Sequence, residues 1–137
     1  MTLEIITPEK IVFKEEVDEI IVPTITGVIG ILPNHVPLVT QVAEGEIIVK
    51  KDAKLYSLAV TGGFLEVSKN HVSILTNFAI RAEDIEVAKV EEAKKRAEQI
   101  SKEKATDKDF RIAQSELLKS IVQLRVATKY KRRRTNL

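Results

Sequence analysis

Up to Glu83, apolar positions fall into short β-branched runs: LEIIT, KIVF, DEIIVP, EIIVKK, LYSLAV, GFLEVS and HVSILT. Turn residues bound most of them. Branched side chains suit a pleated, half-buried surface, so these runs predict strands. Many short strands at close spacing predict an antiparallel sandwich or a flattened barrel. No helical period occurs in this half.

From Asp84 the pattern changes. Ile85, Ala88, Ala93, Ala97 and Ile100 form a narrow, alanine-rich stripe with no Gly or Pro as far as Lys104. KATDKDF interrupts it, and Thr106 or Asp107 can cap a new helix. Phe110, Ala113, Leu117, Ile121 and Leu124 then recur at three- and four-residue intervals, a regular seam. Two helices with a short connection predict an antiparallel hairpin. The expected class is therefore α+β, with a strand domain over 1–83 and a two-helix hairpin over 84–137.

Charge sharpens that boundary. Through Glu83 there are seven Lys/Arg against eleven Asp/Glu, a net of −4; beyond it there are fifteen against nine, a net of +6. From Arg111 onward eight residues are basic and Glu116 alone is acidic. Such a helix repels itself, and nearby acidic surface would relieve the strain. A solvated basic face with a frayed tail is the plainer reading. The chain is 44% hydrophobic and 31% charged, in the range of soluble domains. No apolar run approaches the roughly 18 residues that suggest a membrane span, and the opening residues do not read as a signal peptide. With no cysteine, disulfides and thiolate metal sites are excluded.

The most backbone-specific stretch is GVIGILPNHVP, Gly27–Pro37, with two of five glycines, two of four prolines and one of two histidines. Gly27 and Gly30 permit unusual φ or close approach, while Pro33 and Pro37 stiffen the chain. It predicts a stiff, shaped connection, with or without a partner. Catalytic chemistry is not apparent. His35 and His71 lie in different segments, no carboxylate cluster has metal spacing, and VTGGF is too short to cradle phosphate. These features point to a subunit or binding module, not an enzyme on its own.

The order of landmarks resembles the ε subunit of bacterial F-type ATP synthase, the counterpart of the mitochondrial δ subunit. The matching residues are TPE at Thr7–Glu9, Pro23, G..GILPNH.P at Gly27–Pro37, Gly45, GGF at Gly62–Phe64 with Glu66 and Val67, and DIE at Asp84–Glu86. The resemblance implies a ten-stranded β-sandwich and a C-terminal helical hairpin. It implies a rotor subunit, peripheral at the cytoplasmic face of the bacterial membrane, coupling γ to the c-subunit ring in proton- or sodium-driven ATP synthesis. Gly27, Val28, Ile29, Gly30, Pro33, Asn34 and His35 would belong to the contact region for the c-ring and γ. Many members have an acidic residue after the first glycine. Val28 and Ile29 stand there instead, so apolar packing is expected.

The resemblance further implies a hairpin that either folds against the sandwich or extends along γ. When extended, its basic helix would meet acidic segments of β in the catalytic head and hinder ATP hydrolysis. Arg111, Lys119, Arg125, Lys131, Arg132, Arg133 and Arg134 would supply that grip, weakened by salt where exposed. Some members bind ATP through Ile-Asp-x-x-Arg-Ala on the first helix. Here Ile85, Glu86, Lys89 and Val90 occupy those places, with Lys119 and Gln123 near the usual second-helix arginines. Lys lacks the arginine fork, so ATP binding is expected to be weak or absent, and no other cofactor is implied. Two alternatives are a purely structural rotor subunit and a nucleic-acid module using the KYKRRR tail. Few aromatics and an acidic first half count against the second.

Overall fold

The computed structural model describes residues 1–103 and 106–135. Eight strands come first: β1 (Thr2–Ile6), β2 (Ile11–Glu16), β3 (Glu19–Thr24), β4 (Gly27–Ile31), β5 (Leu38–Lys51), β6 (Lys54–Ser68), β7 (His71–Leu75) and β8 (Ala79–Arg81). A 3-10 turn at Ala82–Asp84 leads to α1 (Val87–Lys102) and α2 (Asp107–Thr135). The strands form a β-sandwich and the helices follow it, as expected.

Strands pair in the order β2-β1-β7-β6-β5-β3-β4, with β8 also on β6. The expected ten strands are eight because two are long and shared. The first half of β6, Leu58–Val60, pairs with β8; its second half, Phe64–Ser68, pairs with β7. β5 pairs with β6 along most of its length and also with β3. The expected all-antiparallel pairing also needs correction, since β1 and β7 run parallel.

Alternation places the core. In β1, β3 and β7 every second residue is buried. Leu3, Ile5, Phe13, Ile20, Ile47, Leu58, Leu65 and Ile74 are completely or almost completely enclosed. The Phe13 ring meets Tyr56 edge-on, with centroids 6.3 Å apart, a favoured aromatic geometry. β6 departs from the pattern. Ser57, Leu58, Ala59 and Val60 are all buried, so both faces of the strand are covered. Leu58 and Val60 enter the sandwich core, whereas Ala59 joins a second cluster with Ala82, Val122 and Val126. That second cluster seats the hairpin.

The helices differ from expectation in detail. α1 starts at Val87, after the 3-10 turn, and its buried residues are Val90 and Ala97. Ala88 and Ile100 of the expected stripe are exposed. On α2, Ala113 of the expected seam is buried, Leu117, Ile121 and Leu124 are half-buried, and Phe110 is exposed. The enclosed positions are Ala113, Ser120, Val122, Gln123 and Val126. α2 packs on both α1 and the sandwich, so its covered surface is wider than one seam and rotated from it. The expected cap is present at Thr106, whose Oγ1 accepts the Asp109 N–H at 3.2 Å.

Candidate functional site

Two surfaces stand out, one around β4 and the loop after it and one where α2 meets β5 and β6. The first begins with the β3–β4 hairpin. Thr24 Oγ1 donates to the Gly27 carbonyl at 2.6 Å and accepts the Thr26 N–H at 3.3 Å. This tight turn needs Gly27, whose φ is +127°. The predicted connection is thus half strand: Gly27–Ile31 is β4, at the end of the strand order. Two glycines hid its strand character. Ile31 is enclosed, Ile29 half-buried, and Val28 faces out. The following loop is braced. His35 N donates to the Leu32 carbonyl at 3.2 Å, and Asn34, at φ +65°, donates its N–H to Asn70 Oδ1 at 2.9 Å. His35 Nδ1 lies 2.7 Å from the Val36 carbonyl, so an Nδ1–H donates there. Pro33 is exposed within this loop.

Exposed apolar side chains extend beyond that segment. Phe64 and Leu75 are cross-strand partners, and Gln41 lies opposite Phe64 on the other side. Val39, two residues from Gln41 on the same face, is 73% exposed. Ile25 is joined through its N–H to the Gln41 carbonyl. Ile25, Val39, Phe64 and Leu75 therefore form a patch that residue-level reading missed. The available signal was GFLEVS, where Leu65 and Val67 must point inward and Phe64 outward.

The second surface is the hairpin seat. Val122, Val126, Tyr130 and Arg133 recur at intervals of four, four and three, so they share one helical face. The first three pack with Ala59, Ala82, Ile80 and Ile85. Arg133 then clamps Glu46 of β5: Nη1 donates to Oε2 at 2.6 Å and Nη2 to Oε1 at 2.5 Å. Ser57 of β6 donates its hydroxyl to Glu46 Oε2 at 2.5 Å. The Glu46 side chain is 7% exposed and that of Arg133 34%. Burial alone would raise the Glu46 pKa. The Arg133 and Ser57 hydrogen bonds, with the charges of Arg133 and Lys129, outweigh it and hold the carboxyl below the usual range. Its bond to Glu46 in turn raises the Arg133 pKa.

The other basic positions scatter. Lys119 Nζ sits 4.3 Å from the centre of the Phe78 ring, and the Arg134 guanidinium lies 5.7 Å from that of Tyr130. Arg111 Nε reaches the Asp107 carbonyl at 3.4 Å. Arg125, Lys131 and Arg132 are exposed. In the docked hairpin Arg133 of the Lys131–Arg134 run turns inward to a sandwich carboxylate.

The nucleotide-motif positions split. Lys89, Val90, Lys119 and Gln123 line one shallow cleft of about 290 Å³ with Phe78 and Ala93. Ile85 packs into the hairpin seat, and Glu86 pairs with Lys89 at 2.7 Å on the surface. Gln123 Nε2 donates to the Lys119 carbonyl at 3.3 Å. Among the described residues no group of His, Asp and Glu could hold a metal ion, and no helix is long and apolar enough to cross a membrane.

Family models match both halves of the chain. The ATP synthase, Delta/Epsilon chain, beta-sandwich domain covers residues 1–82, and its long alpha-helix domain covers residues 83–128. The chain belongs to the ATP synthase delta/epsilon chain family. It is 41% identical over 125 residues to the ATP synthase epsilon chain of Desulforamulus reducens, covering 91% of this chain and 95% of that one. The epsilon chain of Dehalococcoides mccartyi is 44% identical over 131 residues, covering 94% and 93%. The fold is also similar to a chain in the cryo-EM structure of Euglena gracilis mitochondrial ATP synthase. There the TM-score is 0.64 at 23% identity, covering 94% of this chain and 78% of that one.

Proposed function

We propose that this chain is a rotor subunit of an F-type ATP synthase, with no covalent chemistry of its own. Residues 1–83 would join γ to the c-subunit ring at the surface of the membrane. Residues 84–137 would form a regulatory hairpin. The observation that carries this reading is the division of labour along β5 and β6. Their halves around Val39 and Phe64 leave apolar side chains exposed on a rigid sheet, whereas the halves around Glu46 and Ala59 seat the hairpin. Phe64 and Ala59 are five residues apart, about 17 Å along a strand. A stiff apolar face suits a joint that transmits torque, and clustered exposed apolar residues mark protein contacts. Gly27–Ile31 and the braced loop to His35 extend that face, with Val28 presenting an apolar contact.

The hairpin would hinder ATP hydrolysis when it leaves the sandwich and enters the catalytic head. There Arg111, Lys119, Arg125 and Lys131–Arg134 would face acidic segments of β. In the docked form Arg133 is occupied by Glu46, which favours a non-inhibitory resting state and keeps a purely structural role in play. ATP binding to the isolated subunit would be weak or absent. The cleft offers Lys89 and Lys119, not the paired arginine forks that grip phosphate.

The test reconstitutes the catalytic head with γ and compares the full chain with a version stopped after Glu83. A several-fold rise in hydrolysis on truncation supports the inhibitory hairpin. Equal hydrolysis with both versions bound makes the hairpin structural. Failure of both versions to bind γ rejects the rotor assignment. Titration calorimetry with ATP tests the nucleotide reading, and micromolar affinity would overturn it.

A further inference from the structure

We propose that Glu46 is a receptor for the C-terminal helix, and that its bidentate pair with Arg133 is the latch holding the hairpin on the sandwich. The apolar seat is small. Four buried residues, two of them alanines, form its centre with Ile80, Ile85 and Tyr130 partly buried around them, against eighteen buried residues in the sandwich core. Its buried polar neighbours add little specificity, because they bond within their own helix. Ser120 Oγ donates to the Glu116 carbonyl at 2.8 Å and Gln123 Nε2 to that of Lys119. Both bonds survive undocking, so neither opposes it.

Glu46 is different. Its side chain points away from the sandwich core, since Ile47 and Val49 are the enclosed residues of that strand segment. It is nevertheless 7% exposed, because α2 covers it. Docking therefore removes a carboxylate from water, which is tolerable only with a well-aligned cation. Arg133 supplies two parallel hydrogen bonds, and Ser57 holds the carboxylate from the adjacent strand. The pair thus sets both the register and the occupancy of the docked state. A helix shifted by one turn would offer Glu46 the Lys129 ammonium, a charge without the fork. The proposal concerns docking itself and stands whether or not the hairpin inhibits hydrolysis.

Hydrogen exchange of the full chain tests it, on the wild type, Arg133→Gln, Arg133→Lys, Glu46→Gln and the Glu46→Gln/Arg133→Gln double variant. Arg133→Gln leaves a buried carboxylate unpaired and should speed exchange of α2 amides by tenfold or more. Amides of β1, β3, β5, β6 and β7 should keep wild-type rates. Arg133→Lys should fall between, having a charge but no fork. The double variant, with no buried charge, should return close to Glu46→Gln and well below Arg133→Gln. Two results would overturn the latch: Arg133→Gln exchanging no faster than the double variant, or sandwich amides accelerating in parallel with α2.

Discussion

Gly63 is the position where backbone geometry makes the firmest demand, and replacing it with alanine separates two costs. A Cβ built there would stand 1.9 Å from the Leu75 carbonyl oxygen and 3.0 Å from Thr76 Cα, and φ is +143°. Gly27 shares the unfavourable φ, at +127°, but its Cβ would meet nothing within 4 Å. Gly30 has ordinary φ and open space. Strain at a glycine-only φ costs about 1–3 kcal/mol. Relieving the Leu75 contact requires β6 and β7 to part by more than an ångström, weakening hydrogen bonds worth about 1 kcal/mol each. Gly30→Ala should therefore lie within about 0.5 kcal/mol of wild type, Gly27→Ala should lose about 1–3, and Gly63→Ala about 3–5. Urea unfolding should be followed by the near-UV signal of Tyr56 beside Phe13, with helical ellipticity recorded separately. At a slope of about 2 kcal/mol/M, Gly63→Ala should move the midpoint by roughly 2 M. If Gly63→Ala loses no more than Gly27→Ala, the close approach of β6 to Leu75 is not real. The orientation of Phe64 and Leu75 on the exposed face would then lose its support.

Three further outcomes are expected. Thr106→Ala removes the hydrogen bond to the Asp109 N–H and should cost about 1 kcal/mol, seen as faster exchange of the Asp109 and Phe110 amides. Val39→Asp changes a largely exposed residue, so stability should move by less than about 0.5 kcal/mol while binding to γ or the c-ring, measured by co-sedimentation, falls. Unchanged binding would remove Val39 from the contact face. Hairpin docking should also respond to acid with a definite sign. The Glu46 pKa is depressed on folding, so its contribution is complete above the ordinary carboxylate value of about 4.3. It is lost as pH falls through the lower folded value. Arg133 and Lys129 of α2 and Ser57 of β6 face the carboxyl. Docking monitored by α2 exchange should thus be flat through neutral pH and fail in acid; release between pH 6 and 8 would contradict this.

Local pattern was enough for much of this architecture. Alternation in LEIIT and HVSILT shows directly as buried Leu3, Ile5, Val72 and Ile74, and the cap at Thr106 follows from hydroxyl chemistry beside a helix start. What stayed hidden depends on distant partners. The parallel pairing of Thr2–Ile6 with His71–Leu75 leaves no local mark, because a strand's pattern is the same in either direction. GVIGI reads as a loop, yet the ladder to β3 holds it extended. Glu46 looks like any outward strand carboxylate until α2, 87 residues away, covers it. A faint signal was present in SLAV: three consecutive apolar residues in a strand, the middle one small, imply a second covering layer on the outer face.

A basic helix joined to an acidic sandwich predicts that some acidic surface offsets its self-repulsion, and Glu46 does so for Arg133. The apolar surface of the hairpin is not exhausted by that docking. Val87, Ile100, Phe110, Ile112 and Leu118 remain exposed, and three of the five seam residues are only half-covered. A helix evolved for one fixed position would concentrate its apolar residues on the face it buries. α2 instead has a regular seam at Phe110, Ala113, Leu117, Ile121 and Leu124, and a separate docking face at Val122, Val126, Tyr130 and Arg133. Surface left uncovered in one arrangement is free energy available to another. In the proposed rotor role, two faces on one helix would make a second seat accessible, and the Glu46–Arg133 pair would be the element that decides between them.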